Sequence, residues 1–387
     1  MIGTGTFSPT ALLSDTTRHR ITLKASLMPV AGDRFQPAGF PEIGHVIYRA
    51  PRPDRSAEDV CIVDSAASMA NHLETVCLAG PFSLDLHENL AGLPYLVCLT
   101  GGTDGNGHKK LDRLVVTSLS EGHRLASSYF LSDKATVMAN DKPTAETFIS
   151  KLKAEFGLQD LGTKTHPLPD DWWKVFTTIF RYDPNSLVHG ILFPSLGIKI
   201  PRVLTAHLEA FGASRVGSSG VKFDKLGKTT SGQPIFAVDE ETASEIRATF
   251  ILDLSLIRSF GRGDDKGLNP AQKEFLLTFA LWKIGQLLAA PFRFRSNCDL
   301  QLQLITWING DLSEPGKPKD KVLDISELSI DIAGAIAAAG FTTTDKQRDI
   351  VTKVYWPSED LFKPGRDSEE TATGDGEEAE TAEEEES

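Results

Sequence analysis

Between Asp64 and Glu74 the chain reads Asp-Ser-Ala-Ala-Ser-Met-Ala-Asn-His-Leu-Glu, directly after the strand-like run Val60, Cys61, Ile62 and Val63. Asp64 or Ser65 can cap a helix starting there. Ser65, Ser68 and His72 follow at three- and four-residue steps on one face with Asn71 beside them, so small polar donors gather near a helix N-terminus. Such an end carries unpaired backbone N–H groups and a partial positive charge, which suits a phosphate. The same spacing also describes an ordinary capped amphipathic helix, and the segment alone does not separate the two.

Other residues offer less. Of the nine histidines, His123 and His189 stand out, yet no Ser, Cys or carboxylate near them has the spacing of a triad or a metal site. They leave open an endoribonuclease with His123 or His189 as general acid or base. Gly101, Gly102, Gly105 and Gly107 lack the GK[ST] continuation of a phosphate loop and read as a hairpin tip, although a nucleotide-binding enzyme using this loop is a third possibility. Lys109 and Lys110 close that tip. From Gly212 to Gln233, Arg215, Lys222, Lys225 and Lys228 face the single acid Asp224, the composition of a solvated loop or of a basic arm on nucleic acid.

The elements that position these residues mix strands and helices. Ile21, Leu23, Ala25 and Leu27 alternate with polar neighbours, the period of a half-buried strand. Leu93–Thr100 and Leu111–Leu119 read as a hairpin around the glycine-rich tip. Thr144–Phe156 predicts a helix stopped by Gly157. Asp239 can cap a second helix running to about Phe260, and Asn269-Pro270 starts a third that ends by Pro291. Asp324 with Glu327 forms a capping box for a fourth, ending near Gly340. Without strict strand–helix alternation, the class is α+β.

Composition sets outer bounds. The chain has 387 residues and a net charge of −13, but Gly365–Ser387 alone carries −10, leaving −3 for Met1–Pro364. A nearly neutral body can still present a basic groove. One folded domain over Met1–Pro364 and a disordered acidic tail over Gly365–Ser387 are expected, because the tail has no large apolar residue. Cys61, Cys77, Cys98 and Cys298 are scattered, which points to reduced thiols, no metal and a cytoplasmic setting. No run approaches the roughly 18 apolar residues of a membrane span.

Five further passages, in order along the chain, join Asp64–Glu74: Arg34-Phe35-Gln36-Pro37 with Gly39-Phe40-Pro41 and Gly44; Thr117-Ser118-Leu119 with His123-Arg124-Leu125-Ala126; Ser186-Leu187-Val188-His189-Gly190; Pro201-Arg202-Val203-Leu204; and Arg295-Ser296-Asn297-Cys298-Asp299-Leu300. Together they resemble the backbone subunit of CRISPR surveillance (Cascade) complexes of type I-G, formerly I-U, in the Cas-seven group of the RAMP superfamily. The resemblance covers most of Met1 to about Leu300. Where that family has Gln and Arg in the helix, this chain has Met69 and His72, which weakens direct phosphate contact there.

The resemblance implies an RRM-like (ferredoxin-like) antiparallel sheet with helical and hairpin insertions. It implies a non-catalytic subunit without cofactor, several copies of which line a guide (CRISPR) RNA in antiviral defence. Target DNA is then recognised through the guide. Further partners would be a large subunit, a fused cap and processing subunit, and a helicase-nuclease. The RNA contacts expected from motif position and chemistry are Arg34, Ser65, Ser68, Asn71, Arg124, Arg202 and Arg215, with Lys109, Lys110, Lys222, Lys225, Lys228, Arg293 and Arg295 behind them.

Overall fold

A computed structural model describes residues 7–40, 44–80, 85–103, 109–159, 168–216, 222–223, 234–235, 240–263, 265–311, 318–341 and 350–357. Lys225, Lys228, residues 104–108 of the glycine-rich tip and the acidic tail lie outside them. The elements around the site are β1 (Arg20–Pro29), β2 (Ile47–Pro51), β3 (Ala57–Asp64), α1 (Ala66–Thr75), α2 (Trp172–Tyr182) and α3 (Pro184–His189). They continue with β4 (Leu204–Phe211), β5 (Glu245–Asp253), α4 (Pro270–Leu288), β6 (Phe292–Arg295), β7 (Cys298–Asp311) and β8 (Lys319–Leu323).

These eight strands form one antiparallel sheet in the order β6, β7, β1, β5, β4, β3, β2, with β8 added to β7. Period-two alternation builds it. Ile21, Leu23, Ala25 and Leu27 on β1, Ile246, Ala248, Phe250 and Leu252 on β5, and Leu204, Ala206, Leu208 and Ala210 on β4 all point to one buried face. Register alternates bulk across that face: Phe250 lies opposite Leu23 on one side and Ala206 on the other. Helix α1 packs on β4, and α4 packs on β5 and α1. The opposite face carries a cleft of about 210 Å³ lined by Lys24, Ser26, Arg247, Thr306, Glu245 and Asp320, with Leu304 and Ile308 beside them.

Residues Leu96–Thr103, Lys109–Thr117, Thr136–Ala139, Lys142–Thr147 and Thr352–Trp356 form a second, five-stranded sheet. The first two make the expected hairpin. All four cysteines are buried free thiols, and burial pushes each up to about 12.

Three expectations change. The stretch expected to be helical as far as Phe260 is mostly strand, Glu240–Thr242 and β5, with helix only over Leu254–Ser259. The alternation of Ile246, Ala248, Phe250 and Leu252 is a strand period, and it overrides the cap offered by Asp239, itself outside the described residues. The helix expected from Thr144 starts at Phe148, because the Thr147 hydroxyl accepts from the Ser150 N–H at 3.3 Å and caps it there. Gly157 ends it as expected, at φ +62 and with Asp170 filling the space a Cβ would need. The Asp324–Glu327 capping box is present but starts only one 3-10 turn; the helix proper, Ile332–Ala338, is capped by Asp331.

Asn269 and Gln272 cap α4 reciprocally, with Pro270 in its first turn. From Phe275 to Leu288 nearly every side chain of α4 is buried, including Lys283. No described helix is long and apolar enough to cross a membrane.

Candidate nucleic-acid interface

Strand β3 delivers Asp64 and Ser65 to the start of α1. The Ser65 hydroxyl accepts from the Ser68 N–H at 3.2 Å, so Ser65 is the cap. Asp64 is buried and works as a clamp: its Oδ1 accepts from the Ser65 N–H at 3.1 Å and from Arg295 Nη2 at 2.9 Å, while His72 Nε2 stands 3.3 Å from Oδ2. Burial works to raise the Asp64 carboxyl. Hydrogen bonds from His72 and Ser68 and the charge of Arg295 outweigh it, so the group sits below the usual aspartate value. His72, expected on the polar face, is thus turned to Asp64 and packs edge-on against Phe294. Ser65 and Asn71 are the exposed polar residues of this turn, Ser68 is half-buried, and Arg295 serves as an internal ion pair.

The other end of α1 feeds a buried polar network. Glu74 accepts from Arg124 Nε at 2.5 Å and Nη2 at 2.8 Å, a bidentate pair, and from Asn185 Nδ2 at 2.6 Å. Arg124 Nη1 also donates to the Gly190 carbonyl at 3.3 Å. Lys283 of α4 meets Asn185 Oδ1 and stands 3.0 Å from His189 Nε2. Asp183, at the joint of α2 and α3, accepts from the Ser186 hydroxyl at 2.7 Å, and burial raises its carboxyl to about 7. Arg124, expected on phosphate, is therefore held inside the protein at φ +57, with its charge matched by Glu74.

A groove of about 840 Å³ opens above this network. His123, Arg124, His189, Lys199 and Arg202 line it together with the apolar Ile191, Leu192, Pro194 and Pro201, and Leu192 lies directly across the strand pair from Lys199. Arg202 Nη1 donates to the Ala66 carbonyl at 2.8 Å, tying the groove to the first turn of α1. Gly190, at φ +76, leaves room for the Arg202 side chain: a Cβ there would come within 2.9 Å of it. His189 is buried and His123 is exposed, with His123 Nδ1 3.0 Å from Glu121.

The remaining cations are placed elsewhere. Arg34 pairs with Glu240 at 2.8 Å and Arg215 lies 3.7 Å from Glu241, so two arginines far apart in sequence meet at one short strand. Arg293 pairs with Asp299 at 2.8 Å on the surface. Lys109 and Lys110 open a strand of the second sheet, Lys110 exposed; Lys222 lies in a two-residue strand. Glu74 closes the Asp64–Glu74 segment with no role assigned by its spacing, and Asn185 and Lys283 are not singled out by sequence reasoning. One signal was available: Lys283 is a lone charge inside the apolar run from Phe275 to Leu288.

The family model described as CRISPR-associated protein GSU0053 matches residues 21–215, half of the chain. The chain belongs to this CRISPR-associated family. The matched stretch carries α1, Arg124, His189, Arg202 and Arg215, hence both flanks of the groove. Among curated proteins no sequence match was found. Among solved structures, Thermofilum pendens Csc2 is similar at 12% identity over 86% of this chain and 84% of that one, with a TM-score of 0.33. A chain from a structure titled "CRISPR RNA-guided surveillance complex, pre-nicking" is similar at 8% identity over 74% and 77%, with a TM-score of 0.31. At these scores neither overlay bears on the function of this chain.

Proposed function

We propose that this protein is a non-catalytic backbone subunit of a type I CRISPR surveillance complex, copies of which hold guide RNA side by side and so support recognition of target DNA. Membership of the CRISPR-associated family, over the stretch that carries α1 and the groove, is the observation that carries this reading. Topology supports it. Taking β1, β4, β5 and β7 as the four central strands, the chain runs β1–α1–β4–β5–α4–β7 and the sheet order is fourth, first, third, second, the arrangement of an RRM-like (ferredoxin-like) core.

The open face of that sheet carries Lys24 and Arg247 beside Glu245 and Asp320, with Arg247 paired to Glu245. Contact with the sugar-phosphate backbone, with sequence left to guide pairing, is the mode proposed. Ser65, Asn71, Arg202, Arg34 and Arg215 are the contacts proposed. The large subunit, the cap and processing subunit and the helicase-nuclease are the proposed partners. Titrating the purified protein with unrelated single-stranded RNAs at several salt concentrations tests the reading. Similar affinities that fall steeply with salt are expected; salt-insensitive binding contradicts it.

One observation favours the endoribonuclease alternative: His123 and His189 line the same groove. Against it, His189 is held neutral, its protonated form disfavoured by burial and by the charge of Lys283, so it is a poor proton donor at neutral pH. Repeat RNA left intact by wild-type protein and by His123→Ala agrees with a binding subunit; cleavage lost in the variant establishes the enzyme.

A further inference from the structure

Leu192 and Lys199, register partners in the strand pair Ile191–Phe193 and Ile198–Ile200, share one exposed face that lines the groove. Leu192 is 55% exposed, and Pro194 and Pro201 are exposed groove residues as well. Arg202 adds a second cation, hydrogen-bonded to a neutral carbonyl, and no carboxylate is among the described lining residues. Apolar surface and positive charge therefore meet on one face, and an exposed apolar face gains by being covered. An occupant that answers both is acidic and apolar at neighbouring positions.

The chain itself supplies one. Residues 359–362 read Glu-Asp-Leu-Phe, two carboxylates followed by two large apolar side chains, and Gly365–Ser387 then adds a net charge of −10. These residues lie outside the described ones, but the point from which they leave is described. Trp356 ends a strand of the second sheet, and its carbonyl accepts from the Thr100 hydroxyl at 2.8 Å. Its ring stands edge-on to that of Tyr129, centroids 6.0 Å apart, and Ser128, next to Tyr129, lines the groove. Leu361 is five residues beyond Trp356, a reach of about 17 Å when extended. A tether this short holds a segment at about millimolar effective concentration, so weak contacts suffice.

We infer that the segment from Glu359 onward docks in the groove of its own subunit, with Leu361 and Phe362 on Leu192 and Pro194 and its carboxylates towards Lys199 and Arg202. The groove is then closed to stray polyanions until guide RNA displaces the segment. Docking stands on the groove and the tether alone, whereas the competition with RNA rests on the proposed function.

The test uses the full chain freed of nucleic acid, carrying Phe362→p-benzoylphenylalanine as a photocross-linker of similar shape, in a mixture of isotopically light and heavy chains. After irradiation, mass spectrometry is expected to place the cross-link within Leu192–Lys199 of the same chain. Adding Lys199→Glu, at an exposed position, should cut the yield several-fold, and so should an unrelated single-stranded oligoribonucleotide. A cross-link outside the groove, or one joining light to heavy chains, overturns the inference. So does a cross-link that survives saturation with the oligoribonucleotide. In a second measurement Phe362→Ser, which leaves the net charge unchanged, is expected to raise affinity for that oligoribonucleotide several-fold; unchanged affinity contradicts the competition. If the cross-link forms as expected and wild-type protein binds no RNA, docking stands and the proposed function fails.

Discussion

Every arginine the sequence offered for phosphate has an internal partner in the fold, so exposure decides which can be released to RNA. Arg34 and Arg215 have side chains 58% and 52% exposed. Solvent-screened pairs of this kind contribute about 0–1 kcal/mol, which a phosphate can replace. The Arg124 side chain is 8% exposed and its pair with Glu74 is bidentate. Breaking such a pair strands a buried charge, so Arg124→Ala is expected to cost about 3–5 kcal/mol in denaturant unfolding. An unchanged midpoint with weakened RNA binding would return Arg124 to the contact surface. At the helix start Ser68 leans on Asp64, so Ser68→Glu also sets a carboxylate beside a carboxylate and confounds fold with binding. Asn71 is exposed, and Asn71→Ala is the cleaner probe. It should weaken RNA binding several-fold, by loss of one hydrogen bond of about 1 kcal/mol, at unchanged thermal stability; normal affinity would place the contact elsewhere.

At the scale of elements, local chemistry was legible where it had no competitor. The cap at Ser65, the start at Asn269-Pro270 and the stop at Gly157 are all where the residues put them. It misled where two signals overlapped: a possible cap at Asp239 stood before a strict period-two run, and burial of that run in the sheet won. The network between α1, α3 and α4 was not legible, because Glu74 and Lys283 meet Asn185 across 111 and 98 positions of sequence. The joint between α2 and α3 has a measurable consequence. Asp183 binds its proton up to about pH 7 in the folded chain, whereas an unfolded aspartate releases it near 3.8. Between these values the folded form binds more protons, so stability falls as pH rises, by up to roughly 1.4 kcal/mol per pH unit. Thermal unfolding from pH 5 to 7 should show this fall in wild type and a flatter curve in Asp183→Asn. Parallel curves would mean that Asp183 is ionised throughout.

For the whole molecule, the family was legible from motifs in order, since each motif marks a place the fold uses: Phe35 bridges Glu241, His189 and Gly190 line the groove, and Arg202 ties it to α1. The division of charge was legible too. Removing Gly365–Ser387 changes the net charge from −13 to −3. Loss of that negative field should raise affinity for nonspecific RNA, most at low salt; identical affinities at low salt would leave the tail no role in binding. The central claim is that this subunit holds guide RNA, and co-expression with a repeat-spacer array tests it most directly. Purified multimers should carry RNA of guide length, intact and bound without regard to spacer sequence. Protein that purifies free of RNA, or that carries RNA fragments lost on His123→Ala, would contradict it.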